Sequence, residues 1–355
     1  MSNGGIDKNG GGTLQWSAGT MDVDSILVRN GTFARTVNNQ WNYSGDIVVD
    51  GGTMEVNLSP TQAMRLTGDG TLSVLAAGTF NAGLGFFVNL DSGDTLGTGY
   101  NIDIRGDDSD FIIGGWARLA QASGKFANVL QNNSTARYGA LVIGDAAGGN
   151  AKYDMNDGTV IIENDNFMGG RNLIVGLDGT GMLNMDGGKI LSRPDTYTDH
   201  NGDDVTVTKS NPLTVGLGAS GVGTVNHTGG TITVDGIDIC PDGVGTGTYN
   251  LSGGKIRSDT INVNTANGVF NWSGGTIVDG DNNGRNTFTA TIDGGTFNRL
   301  HTGGWQTGDG DWIVKNNGQL LVGENVAGGN LRDFAVSNGS NLTVGTLGNP
   351  GICRS

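Results

Sequence analysis

The sequence predicts an all-β fold, a parallel β-helix (β-solenoid) with about three short strands per coil. Three observations carry that expectation. One unit is written four times between Leu173 and Val278. Its strands alternate apolar and polar residues, so each has one face to bury. Glycine fills 66 of 355 positions, far above the usual share of about 7 per cent, yet without the three-residue period of collagen.

The unit is a short strand, a glycine turn, a second strand, a Gly-Gly turn and a third strand. Leu173-Ile174-Val175-Gly176 precedes Leu183-Asn184-Met185-Asp186-Gly187-Gly188-Lys189-Ile190. Leu213-Thr214-Val215-Gly216 precedes Val225-Asn226-His227-Thr228-Gly229-Gly230-Thr231-Ile232. Ile237-Asp238-Ile239-Cys240 precedes Tyr249-Asn250-Leu251-Ser252-Gly253-Gly254-Lys255-Ile256. Ile261-Asn262-Val263-Asn264 precedes Phe270-Asn271-Trp272-Ser273-Gly274-Gly275-Thr276-Ile277. The inward positions stack as Leu183, Val225, Tyr249, Phe270 and as Met185, His227, Leu251, Trp272. No unit can bury such a face alone, so units must stack. Gly-Gly supplies positive φ at a tight corner.

Residues 1–10 form a polar segment, and one continuous solenoid is expected over 11–345, followed by a tail at 346–355. Repeat text starts at Gly12-Thr13-Leu14-Gln15-Trp16 and recurs at Asp46-Ile47-Val48-Val49-Asp50-Gly51-Gly52-Thr53-Met54 and over 71–80. The pattern loosens over 81–137, where Phe86, Ile102 and Phe111 still open strand-like runs. Residues 116–131 carry a rough helical spacing, but Gly124 and its small neighbours favour another irregular coil. The register recovers at Leu141-Val142-Ile143-Gly144. After the four clean units come 291–297 and two late copies of the first strand, Leu320-Leu321-Val322-Gly323 and Leu342-Thr343-Val344-Gly345. Thr53, Thr159, Thr231, Thr276 and Thr296 recur as a threonine column, interrupted by Lys189 and Lys255. The shortest interval, Leu213 to Ile237 to Ile261, is 24 residues, which gives roughly 14 coils and, at about 4.8 Å per coil, a rod on the order of 70 Å long. Strand twist favours a right-handed coil. Longer intervals carry polar inserts, the clearest at 193–210.

The runs around Leu173-Ile174-Val175-Gly176-Leu177-Asp178-Gly179-Thr180-Gly181 and Tyr249-Asn250-Leu251-Ser252-Gly253-Gly254 resemble the glycine-rich repeats of secreted bacterial β-solenoids. These are the autotransporter-associated β-strand repeat proteins and the PEP-CTERM-type surface proteins. The resemblance is close over about 138–300. It implies export and a passive role at the cell surface or in extracellular material.

Formal net charge is −15. That excludes nucleic acid and anionic membrane as natural partners and suits divalent cations. No run of 18 apolar residues occurs, so no membrane span is expected. No signal peptide follows Met1; the chain reads either as a processed fragment or as one exported by a signal it does not show. Cys240 and Cys353 form no disulfide framework. Cys240 takes the place of a turn glycine and reads as a buried thiol, while Cys353 could cross-link to a neighbour.

Two loops offer oxygen ligands at calcium-like spacing. Asp279, Asp281 and Asn283, with Gly284 at the sixth place, open like an EF-hand, but its twelfth place is Ala290, so an EF-hand is excluded. Asp199, Asn201 and Asp203 repeat the spacing. Each reads either as a solvated turn or as a simple structural Ca2+ loop; no other cofactor is expected. His200, His227 and His301 are too scattered for a triad or a zinc site, and His227 reads as a packed core histidine. Asp lies mostly in turns, so no enzyme is expected. Asn184, Asn226, Asn250 and Asn271 form an outward column, either an amide ladder or a sugar-binding strip. Trp41, Tyr43, Trp116, Trp305 and Trp312 are candidates for an exposed aromatic flank.

No cap is visible at either end of the repeat text. Uncapped solenoid ends invite head-to-tail pairing of copies into an open filament. The leading expectation is a structural subunit of an extracellular filament or surface layer. The alternative is a glycan-binding adhesin or phage-spike module, with cell-surface or extracellular polysaccharide as partner, and less so a polysaccharide-active enzyme.

Overall fold

Alternation decides which residues become strand. In Thr180–Met185, Gly181, Leu183 and Met185 are buried while Met182 and Asn184 are half-buried, and Val222–His227 and Thr246–Leu251 repeat the pattern. The computed structural model describes residues 4–17, 21–36, 40–56, 63–83, 85–93, 99–163, 170–198, 204–208, 210–278, 289–293, 296–299, 311–315, 319–322, 333–336 and 341–344. Among them there is no helix. All strands but two join one continuous sheet, parallel except for a single antiparallel pairing of Leu90 with Phe126. The chain is a parallel β-helix.

Each strand pairs with the strand one coil away, which sorts the strands into three faces. Face one begins at Gly5–Lys8 and ends at Asn341–Val344, fourteen strands in register. Face two runs from Thr13–Trp16 to Thr276–Val278. Face three runs from Trp41–Tyr43 to Asp333–Val336. The strands Asp110–Leu119 and Thr135–Ile143 each serve faces two and three without a break, bending where the register shifts between Ile113 and Trp116. The run 116–131, with its rough helical spacing, lies mainly in Asp110–Leu119 and in the strand Phe126–Asn132.

The core is a set of axial stacks. Leu183, Val225, Tyr249 and Phe270 lie one above another, as do Met185, His227, Leu251 and Trp272. Tyr249, Phe270 and Phe297 stack nearly parallel, with centroids 5.0 and 4.6 Å apart. Phe80 and Phe111 do the same on face two, at 5.3 Å. Such pairs add about 1 kcal/mol each beyond area burial.

Two assignments shift by one face. Leu320-Leu321-Val322 and Leu342-Thr343-Val344 continue face one, the second-strand position, instead of the first-strand position. Thr13–Trp16, where the repeat text starts, pairs with Thr32–Arg35 on face two. Thr289–Asp293 lies on face three, and Thr296 pairs with Val269 on face one, so Thr296 leaves the threonine column. That column is otherwise real: Thr159, Lys189, Thr231, Lys255 and Thr276 are successive partners on face two. All three faces use the same Val, Leu and Ile alternation, so composition alone does not tell them apart.

The Gly-Gly corner uses its two glycines for different reasons. Gly230 has φ +72°, where a side chain is strained. Gly229 does not, but a Cβ there would lie 2.0 Å from the carbonyl oxygen of Asp186 in the preceding coil. The first glycine permits coil-to-coil contact; the second makes the turn and also lies against the preceding coil, where a Cβ would meet the Gly188 carbonyl oxygen at 2.5 Å. Gly229→Ala should therefore cost about 3 kcal/mol through forced separation of two coils. Gly11→Ala, with open space around it, should stay within about 0.5 kcal/mol. Denaturation midpoints check this; equal midpoints for the two variants would refute the close-contact reading.

Candidate functional site

The outward residues of face one make a continuous polar line. Asn184 Nδ2 donates to Asp154 Oδ1 at 2.6 Å. Asn226 Nδ2 donates to Asn184 Oδ1 at 2.8 Å, Asn250 Nδ2 to Asn226 Oδ1 at 2.9 Å, and Asn271 Nδ2 to Asn250 Oδ1 at 2.7 Å. The carboxylate of Asp154 can only accept, so Asn184 must present its NH2 there, and each later amide is oriented in turn. Asp154 also accepts from the Tyr100 hydroxyl at 2.6 Å and pairs with Lys152 at 2.8 Å. Burial, with the Asp154 contact, pushes the Tyr100 hydroxyl up to about 12. The column is an amide ladder whose hydrogen-bonding capacity along the axis is used by its own neighbours.

The 193–210 insert builds a different feature. Asp195–Thr198 and Asp204–Val207 pair as an antiparallel hairpin outside the main sheet. Tyr197 and Val207 pack onto Leu191 and Ile161, outward residues of face two that would otherwise meet water. The hairpin thereby walls a groove of about 330 Å³. Its floor is two rows of face two: Lys189, Thr231, Lys255, and Leu191, Thr233, Arg257. The hairpin wall is Thr196, Tyr197 and Thr198. Three cations line the groove and, among the described residues, no carboxylate does. Lys189 donates to the carbonyl of Thr198. The Nε of Arg257 is buried without a hydrogen-bond partner in the protein.

A second cavity, of about 460 Å³, lies at the corner between Arg118, Asp145 and Asp178. Arg118 pairs with Asp145 at 2.8 Å, and the Asp145 side chain is 1 % exposed. Burial raises the Asp145 carboxyl above the usual range, Arg118 opposes the rise, and Asp178 adds to it. This pair ties the turn at 144–149 to the strand Asp110–Leu119.

The other buried polar groups are internal. His227 is fully buried, with Nδ1 2.9 Å from the Tyr249 hydroxyl and Nε2 3.4 Å from the Gly230 carbonyl oxygen. Burial lowers its pKa to about 4, against the smaller raising effect of the Gly230 and Gly229 backbone. Cys240 sits at φ +53°, the place held by Gly176 and Gly216 at φ +75° and +71° in sister coils. Burial pushes its thiol up to about 11, so it stays protonated and inert.

Asp199, Asn201 and Asp203 lie in sequence between the two hairpin strands, and Asp279, Asp281 and Asn283 in 279–288; all six lie outside the described residues, as do Trp305 and Cys353. Among the described residues no three His, Cys, Asp or Glu side chains gather in a way that could hold a metal ion. Trp41 and Tyr43 are 3 % exposed core residues, so they leave the candidate aromatic flank, whereas Trp116 is 42 % exposed. The groove escaped the sequence because its cations come from two coils separated by a third and its wall from an insert. Its only signal was Lys189 and Lys255 recurring in a threonine column. No protein-family model, curated protein or solved structure matches this chain.

Two measurements follow from these sites. Asn226→Ala breaks the ladder at its centre and should cost about 1 kcal/mol, whereas Asp154→Ala removes the charged acceptor and should cost about 2 kcal/mol. Urea midpoints check the order. For His227, the unfolded side chain takes up a proton below about pH 6.5 and the folded one only near pH 4. The unfolded chain therefore binds more protons in that window, and stability falls as pH drops through it, by on the order of 3 kcal/mol. Relative to His227→Leu, the wild type should lose stability between pH 6.5 and 4; a pH-independent difference would refute the neutral buried imidazole.

Proposed function

We propose that this chain is a structural subunit of an extracellular filament or surface layer, in which coils pair head to tail between copies. The observation that carries the reading is the uninterrupted register of face one through fourteen strands. Each coil presents the next with the same row of N–H and C=O groups, the same apolar stack and, over 154–271, the same amide rung. A coil from another chain satisfies that surface by the same strand addition. The likeness of 138–300 to secreted bacterial solenoid repeats supports an extracellular setting, and stiffness along the axis suits a passive role. Calcium at the loops of Asp199 and Asp279 would serve as a structural ion.

Negative-stain electron microscopy tests this, with calcium and then with EDTA. Long filaments are expected, and their loss in EDTA would assign calcium to the joints. Separate short rods at high concentration in both conditions would sink the proposal. A second reading, a glycan-binding module, draws on one observation, the cationic groove beneath the hairpin.

A further inference from the structure

We infer that the groove between the hairpin and face two binds an acidic polysaccharide, with uronate carboxylates held by Lys255 and Arg257. The inference rests on the glycan-binding reading and is independent of filament assembly.

Charge is the first argument. The chain carries 35 acidic against 20 basic residues, yet this groove is lined by Lys189, Lys255 and Arg257 with no carboxylate among its described lining residues. Asp259, two residues after Arg257, pairs with Arg193 at 2.8 Å and is not among the groove's lining residues. A local positive site on an acidic surface selects an anion by contact instead of by long-range attraction.

Unmet hydrogen bonding is the second. The Nε of Arg257 is buried without a partner in the protein, and Arg257 itself lines the groove half-buried. A carboxylate matches the planar guanidinium fork in two parallel hydrogen bonds. Lys255 is exposed and lies one rung beyond Thr231, which separates it from Lys189. Lys189 is held by Thr198, so it fixes the wall while Lys255 remains for a ligand.

The shape and the remaining lining are the third. Rungs follow at about 4.8 Å along the axis, so the floor offers equivalent positions to a ligand that is itself a repeating chain. Threonines 196, 198, 231 and 233 supply hydroxyls that donate and accept, as a polyol requires, and Tyr197 supplies a half-buried ring at the wall. A nucleic acid is disfavoured because its charge density meets a net −15 chain beyond this short patch.

The test is calorimetric titration of the full chain with polygalacturonate, with neutral dextran and single-stranded DNA as comparisons. Polygalacturonate should bind in a salt-dependent manner, with dextran and DNA far weaker. Lys255→Gln and Arg257→Gln should each weaken binding by about tenfold, while Lys125→Gln, at a distant ion pair with Asp91, should leave it unchanged. Lys255 is exposed, so its variant reports on binding even if Arg257→Gln perturbs packing. Polygalacturonate affinity unmoved by the Lys255 and Arg257 substitutions, or DNA bound equally well, would overturn the site. Dextran bound and polygalacturonate ignored would overturn the anionic class while leaving a glycan module standing. Binding of neither sugar would overturn both.

Discussion

The rest of this structure depends on the contact between one coil and the next. At the Gly-Gly corners of the regular coils, strands one rung apart leave no room for a side chain on the first glycine, and backbone meets backbone there. Gly229, Gly253 and Gly274 would each place a Cβ within 2.2 Å of a carbonyl oxygen of the preceding coil. That spacing in turn dictates the interior. Once coils sit one strand apart in register, each inward residue has the equivalent residue above and below it. Aromatic rings at equivalent positions then have little choice but to stack, as Tyr249, Phe270 and Phe297 do.

The same register acts on the outside. Asn at one outward position of each coil becomes a ladder because neighbouring amides fall within hydrogen-bonding distance. A carboxylate at Asp154 orients all of them, since an acceptor-only group at one end leaves each amide a single useful orientation. Asn262 donating to Asp238 on face three repeats the direction at one rung. The ladder aligns amide dipoles toward a negative charge, as a capped helix does. A stack ordered inside by packing and outside by oriented hydrogen bonds is stiff along its axis, which is the property a structural role requires.

What departs from the coil carries chemical individuality. The insert leaves the stack as Asp195–Thr198 and Asp204–Val207, folds back through Tyr197 and Val207, and converts a flat face into a groove. Coils recur and therefore present recurring surfaces. A site of distinct charge is built where a non-repeating segment covers a repeating one, and here it gathers cations on an acidic chain.

The four units over 173–278 were legible because period-2 alternation, paired glycines and constant spacing all point to one stacking arrangement; the inward stacks and the turn position of Cys240 followed from alignment alone. Faces were not legible where the period broke. Thr13–Trp16, Leu320-Leu321-Val322 and Leu342-Thr343-Val344 carry an alternation common to every face, and only pairing partners assign them. Trp41 and Tyr43 could be placed inside only once Met64 and Leu66 were known to lie against them. The groove lay further from the sequence still, since Lys189, Lys255 and Tyr197 become neighbours through rung spacing and a folded-back hairpin. Sequence alone determined the repeating unit, because local alternation and turn chemistry are written residue by residue. The tertiary structure decided face, register at the irregular ends and the joining of insert to coil, because those depend on which strands meet, a contact between residues a whole coil or more apart.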